Sequence, residues 1–237
     1  MWMRIGMQPA MALPSRTNSG SEPGMLPILF RDQRFVVLDK PAGLAVHPGP
    51  RGGPSVEDIF PSLSRRKEGP WLAHRLDADT AGCLLVALRR SALLAAQAEF
   101  ISGRAHKTYW AVVRGVPATG AGTIEAPLLR LNTRGGWRMI IDEAGKPAVT
   151  DWRLLGQTDA TAWLELTPRT GRTHQVRVHC AALGFPVLGD PVYDGGAGTL
   201  QLLARALALR LDPPLSAVAP VPAHMRAALH DCGFPIV

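Results

Sequence analysis

The chain is poor in the residues that mark several common functions. It has three cysteines, Cys83, Cys180 and Cys232, in no CxxC spacing. Such scatter excludes a disulfide framework or a cysteine-built zinc cage, and fits thiols kept reduced in a cytoplasm. Nowhere does it hold the roughly 18 consecutive apolar residues that a membrane helix needs. Neither a glycine-rich dinucleotide turn nor a Walker phosphate loop is present. Enzymes that draw their chemistry from a nucleotide cofactor are therefore disfavoured. Charged residues make up only 19% of the chain, below the roughly one quarter of an average domain. Tyrosine is reduced to Tyr109 and Tyr193, and no internal repeat is found.

What is present describes a globular chain with a basic surplus. The 237 residues are 46% hydrophobic, enough to bury a real core. Twenty-four glycines and 21 prolines favour a loop-rich, sheet-containing fold over a helical bundle. Lysine and arginine number 26 against 19 acidic residues, a net +7. That surplus accompanies many nucleic-acid partners but also plain solubility. The opening "MWMRIGMQPAMALPSRTNSGSEPGM" is interrupted by Arg4, Gln8 and Pro9, so no signal-peptide core forms. Residues 1–24 read as a disordered tail, and one domain is expected over residues 25–237.

Along that domain, "RFVVLDKPAGLAVHPGP" reads as a strand, a Lys-Pro-Ala-Gly turn and a second short strand. "CLLVALR" is apolar enough for a buried central strand. "SALLAAQAEFISGRA" has helical composition, with Ser91 as cap, Leu94, Ala98 and Ile101 on one face, and Gly103 at its end. "KTYWAVVRG" alternates like a strand, with Tyr109 and Trp110 on opposite faces. Short strands should follow over residues 121–165, then "TAWLELTP". A short helix is expected from "RTGRTHQVRVHCAALG", capped by Thr173 and ended by Gly184, with His174 and Arg177 pointing the same way. "LALRL" is strand-like and "AHMRAALHDCG" helical. The order argues for an α+β fold with a mixed, largely antiparallel sheet.

The polar cluster "AHRLDADTAG" stands just ahead of the buried strand. Asp77 and Asp79 could be reactive carboxylates, or could hydrogen-bond their own loop. A glycosidase pair would need to straddle a bond, roughly 5 Å or more apart, which neighbours on one loop rarely do. Arg75 is either a solvated surface charge or a phosphate or base contact. His174 and His179 stand five apart, about 140° around a helix, which is not the i, i+4 pair of a zinc protease. Arg177 reads as a solvated helix arginine or as a partner that keeps a carboxylate ionised and aimed. Tyr109 is a sheet tyrosine, or a phenol that stacks on a base and exchanges a proton.

Four stretches, in this order, resemble the RluA-type pseudouridine synthases. "VVLDKPAGLAVHPGP" is similar to that family's opening segment, "HRLDADTAG" to its HRLDxxTSG signature, "KTYWAVVRG" to its tyrosine strand, and "RTGRTHQVRVHCAALGFPVLGDPVYD" to its arginine motif. The resemblance covers most of residues 25–211. It implies isomerisation of uridine to pseudouridine within RNA, without metal or cofactor, on a bent mixed sheet flanked by helices and crossed by a basic cleft. Carried over, Asp77 is the catalytic aspartate, Tyr109 the active-site tyrosine and Arg177 the conserved arginine. Arg75 takes the position that intrudes where the target base leaves the stack. His74, Lys107, Arg172 and His174 become further substrate or RNA contacts. Ribosomal or transfer RNA is the implied partner, for a cytoplasmic monomer. Two departures stand out: Ala81 replaces the signature serine, a small-for-small change, and Arg205 stands where a histidine is frequent, which leaves the local detail of the substrate cleft undecided by the resemblance. Many relatives carry an N-terminal S4 RNA-binding domain, and with about 24 tail-like residues ahead of residue 25 none is expected here. An RNA-binding module without catalysis, and more distantly a carbohydrate-active enzyme, are the competing readings.

Overall fold

A computed structural model describes residues 25–49, 52–133 and 136–235. The expected tail, residues 1–24, lies outside the described residues. The elements run β1 (Ile28–Arg31), β2 (Phe35–Lys40), α1 (Phe60–Leu63), β3 (Trp71–Leu72), β4 (Ala81–Ala87), α2 (Arg90–Ile101) and β5 (His106–Arg114). They continue with β6 (Ala121–Glu125), β7 (Leu128–Thr133), β8 (Gly136–Ile141), β9 (Val149–Gln157), β10 (Thr161–Pro168) and α3 (Gln175–Ala182). β11 (Leu202–Leu209), β12 (Leu215–Val218) and α4 (Ala223–Asp231) complete them.

Ten strands form one sheet along the path β1-β2-β4-β11-β5-β10-β9-β6, with β3 on β4 and β12 on β11; β7 and β8 form a separate hairpin. β11 and β4 run parallel, and the other pairs of the sheet are antiparallel. The fold is thus α+β with a mixed, largely antiparallel sheet.

Strand alternation divides the core. On one face Cys83, Leu85, Val112, Trp163 and Leu203 pack with Ala92 and Ala96 of α2 and Met225 and Leu229 of α4. The other face carries two clusters. Ala111, Val113, Leu164 and Leu166 pack with Val176 and Cys180 of α3. Leu38, Leu84 and Val86 pack with Val56 and Leu63. β4 is buried along its whole length, as its unbroken apolar run requires.

The structure departs from the sequence reading locally. Ser91 does not cap α2, because the flanking non-helical residue is Arg89 and Ser91 lies inside the helix. Leu94 and Ile101 face outward, 59% and 88% exposed. The buried side is Ala92, Ala96 and Glu99, where small residues let the helix lie close to the sheet. Glu99 is tolerated there because its carboxylate accepts from Arg104 and from the Arg210 N–H. After the Lys-Pro-Ala-Gly turn the described residues form no second strand, only isolated bridges from Ala45 to Ser55 and from Gly49 to Gly52. The strand expected at "LALRL" begins earlier, at Leu202. α3 is flanked at its start by His174, not by Thr173.

Candidate active site

The Asp77 loop is held from outside. The Ala78 carbonyl accepts from the Gly43 N–H at 2.9 Å and from Lys40 Nζ at 2.6 Å. Lys40 is wholly buried and also donates to the carbonyls of Pro41 and Leu44, at 2.8 Å each. Burial lowers its pKa to about 8, against the pull of Asp79 and Asp77. At the far end Gly82, at φ +107, approaches the Ala204 carbonyl so closely that a Cβ would lie 2.3 Å from its oxygen. Neither aspartate side chain hydrogen-bonds the loop backbone. The loop is pinned by the Lys-Pro-Ala-Gly turn, and that pinning leaves Asp77 at the surface of a cleft of about 960 Å³. Asp79 does not line that cleft and acts on Lys40 through its charge.

Arg177 reaches Asp77 across the cleft floor. Its Nη1 donates to Asp77 Oδ2 at 3.3 Å. Its Nε and Nη2 donate to Asp190 Oδ2 and Oδ1 at 2.7 and 2.8 Å, a bidentate pair with both side chains at most 3% exposed. Asp190 Oδ1 also accepts from the Val192 and Tyr193 N–H groups. Burial works against the charge of Arg177, but Asp190 and then Asp77 outweigh it and raise its pKa above the ordinary value. Its guanidinium lies 5.3 Å over the Tyr193 ring.

All eight residues singled out from the sequence line this one cleft. Tyr109 sits at the seam of the two clusters on that face. Burial, then the charge of Asp77, raises its phenol pKa, so Tyr109 is a neutral phenol in the resting site. Lys107 donates to the Thr170 carbonyl at 2.8 Å, and burial lowers its pKa to about 8. The Arg75 side chain is exposed and forms no hydrogen bond or ion pair with another described residue. Arg172 is exposed at the rim, its Nε on the Pro147 carbonyl at 3.1 Å.

His74 and His174 are more constrained than RNA contacts need be. His74 Nε2 accepts the Leu85 N–H at 3.0 Å and so ties the loop to β4. Burial, helped by Lys107, lowers its pKa to about 4 and keeps the ring neutral. His174 holds a left-handed backbone, φ 52 and ψ 15. Its Nε2 lies 3.8 Å from Asp77 Oδ2 and its Nδ1 3.0 Å from the Tyr193 hydroxyl.

Lys40, Asp190 and Tyr193 escaped the sequence reading. All three lie inside quoted motif stretches, but only a through-space partner gives each a reason. Neither departure lines the cleft. Arg205 bulges from β11 and packs its guanidinium 4.3 Å over Trp110, on the opposite face. It bonds the Ala219 carbonyl there and takes no part in the cleft lining. Ala81 is 1% exposed in the apolar core, where a methyl fits without needing a hydrogen-bond partner.

Comparison with known proteins identifies the family. Residues 34–182 match the family described as RNA pseudouridylate synthase. An uncharacterized RNA pseudouridine synthase of Zymomonas mobilis is 40% identical, over 87% of this chain and 97% of that protein. Ribosomal large subunit pseudouridine synthase D of Xanthomonas campestris is 38% identical, over 80% of this chain and 58% of that protein. Among solved structures, human RNA pseudouridylate synthase domain containing 4 superposes with a TM-score of 0.74 at 30% identity, covering 86% of this chain and 92% of that one. The chain belongs to the RluA-type family of RNA pseudouridine synthases, enzymes that isomerise uridine to pseudouridine within RNA.

Proposed function

We propose that this chain isomerises particular uridines of structured ribosomal or transfer RNA, as a cytoplasmic monomer, with Asp77 as the reacting carboxylate on a flipped-out nucleotide. One observation carries the reading. Asp77, Tyr109 and Arg177 come from three distant segments and meet at one cleft, with the unpaired Arg75 beside them.

The isomerisation breaks the bond from C1′ to N1, rotates the uracil and forms a bond from C1′ to C5. The C5 proton leaves to solvent and the freed N1 takes one up, so the atoms balance without a co-substrate. Two routes use the same carboxylate, attack at C1′ or removal of the C2′ proton. A C2′-deuterated substrate separates them, since only the second predicts a primary isotope effect. Arg177 aims the carboxylate through Oδ2 and leaves Oδ1 for the ribose. Tyr109 supplies an aromatic surface for the uracil. As a neutral phenol it takes up the C5 proton only by releasing its own, which narrows the expectation of a ready base. Flipping costs a few kcal/mol of stacking, which Arg75 in the vacated space and Lys107 and Arg172 on phosphates help to offset. A loop or bulge uridine is cheapest to extrude.

The test is tritium release from C5-labelled uridine RNA. Wild type is expected to release label and Asp77→Ala to release none; equal release by both would sink the assignment. RNA binding should weaken with salt, with a slope of about −0.7 per phosphate contact on a log–log plot.

A further inference from the structure

His174 has a positive φ, which no other described non-glycine residue shows. A non-glycine side chain holds that conformation only where its surroundings enforce it. The His174 ring is the end of a hydrogen-bonded chain. The Met139 N–H on β8 donates to the Tyr193 oxygen at 3.0 Å. The hydroxyl hydrogen of Tyr193 then needs an acceptor, and His174 Nδ1, at 3.0 Å, is the one present among the described residues. An imidazolium would put a second N–H on that oxygen and strand the hydroxyl hydrogen. The network therefore selects a ring bare at Nδ1 and protonated at Nε2. That Nε2–H faces Asp77 Oδ2 at 3.8 Å, beyond a hydrogen bond but within reach of a small side-chain rotation. Trp137 covers the ring at 5.0 Å, tilted by 33°, with Arg130 4.7 Å over the indole.

We propose that His174 is a positioning residue: a neutral imidazole, locked by Tyr193 with its proton on Nε2, that donates to Asp77 Oδ2 when RNA fills the cleft. Asp77 then carries two donors on one oxygen, from Arg177 and His174, and presents the other to the ribose. The charged groups that act on the ring are Asp77, Arg177, Asp190 and Asp79. Burial is the largest influence and lowers the His174 pKa, in keeping with a neutral ring. Burial also raises the pKa of Tyr193, which keeps the hydroxyl hydrogen in place. This role rests on the reading of Asp77 as the reacting carboxylate.

Long-range 15N–1H spectra of the full chain, labelled at histidine, test the tautomer directly. At pH 7 His174 is expected to show an unprotonated Nδ1 and a protonated Nε2, and Tyr193→Phe to lose that preference. Tyr193→Phe and His174→Asn, the latter tolerant of the left-handed backbone, should each lower kcat about 10-fold while KM for RNA stays within about 2-fold. A ring protonated at Nδ1, unchanged kcat in both variants, or a raised KM at constant kcat would overturn the proposal. If Tyr193→Phe does not fold, the wild-type spectrum and His174→Asn decide. An inactive Asp77→Ala beside fully active His174 and Tyr193 variants defeats this inference alone. An active Asp77→Ala defeats the reading beneath it.

Discussion

Asp190→Asn and Asp77→Asn make the same chemical change on opposite sides of Arg177, and the two variants are expected to fail in different ways. At position 190 the asparagine oxygen can keep the bonds from the Val192 and Tyr193 N–H groups and from Arg177 Nη2. The amide nitrogen then replaces Oδ2 and meets the Arg177 Nε–H, now 2.7 Å from an acceptor, donor against donor. Arg177 is 3% exposed, so water cannot take over. Removing one partner of such a buried pair costs about 3–5 kcal/mol, because the other charge is left uncompensated. For a chain of this size that lowers Tm by roughly 10 °C or more. The Asp77 contact is longer, 3.3 Å, and that carboxylate is 26% exposed. Its loss should cost about 0–1 kcal/mol, as partly solvated pairs do. Urea titrations of the three proteins at equal m-value read the difference. In tritium release at a temperature where all are folded, Asp77→Asn should be silent and Asp190→Asn reduced but measurable. An Asp190→Asn protein within about 1 kcal/mol of wild type would refute the division of labour around Arg177.

Lys40→Met should cost about 2–4 kcal/mol, since three main-chain carbonyls lose their shared donor. It should also cut kcat at least tenfold with RNA affinity little changed, and unchanged turnover would show that Lys40 does not hold the Asp77 loop. Burial lowers the Lys107 pKa to about 8, so its charge is present below that pH and lost above it. RNA affinity is therefore expected to fall as pH rises through about 8, and Lys107→Arg to flatten the fall; a persistent fall would assign it to another group. His74 moves from an ordinary 6.5 to about 4 in the fold, so on acidification the unfolded chain takes up its proton first. Stability is then lost as pH drops from 6.5 toward 4, by up to about 3 kcal/mol. Urea midpoints against pH check this, and His74→Gln should remove that dependence.

Local chemistry was legible along the chain. The unbroken apolar run of β4, the alternation of β5 and the extent of β10 were read from residue order, because period and composition act on neighbours. The caps were misplaced where a backbone answered to tertiary packing instead. Arg89 flanks α2 because the alanine face, not the leucine face, meets the sheet. His174 flanks α3 in a left-handed conformation imposed by its surroundings in the cleft.

By itself the sequence determined which residue types stood ready, in the polar loop ahead of β4, the tyrosine on β5 and the arginine on α3. It could not determine their partners. Arg177 and Asp77 are 100 residues apart and Lys40 and Ala78 are 38 apart. Such pairs exist only because the order β2-β4-β11-β5 brings their segments to one face. The tertiary structure alone paired Asp77 with Arg177, set Asp79 near Lys40, turned Arg205 away from the cleft and gave Arg177 its buried second carboxylate. The reason is physical: composition and period reach a few residues along the chain, whereas a buried charge is tolerated only where folding delivers its counter-charge through space.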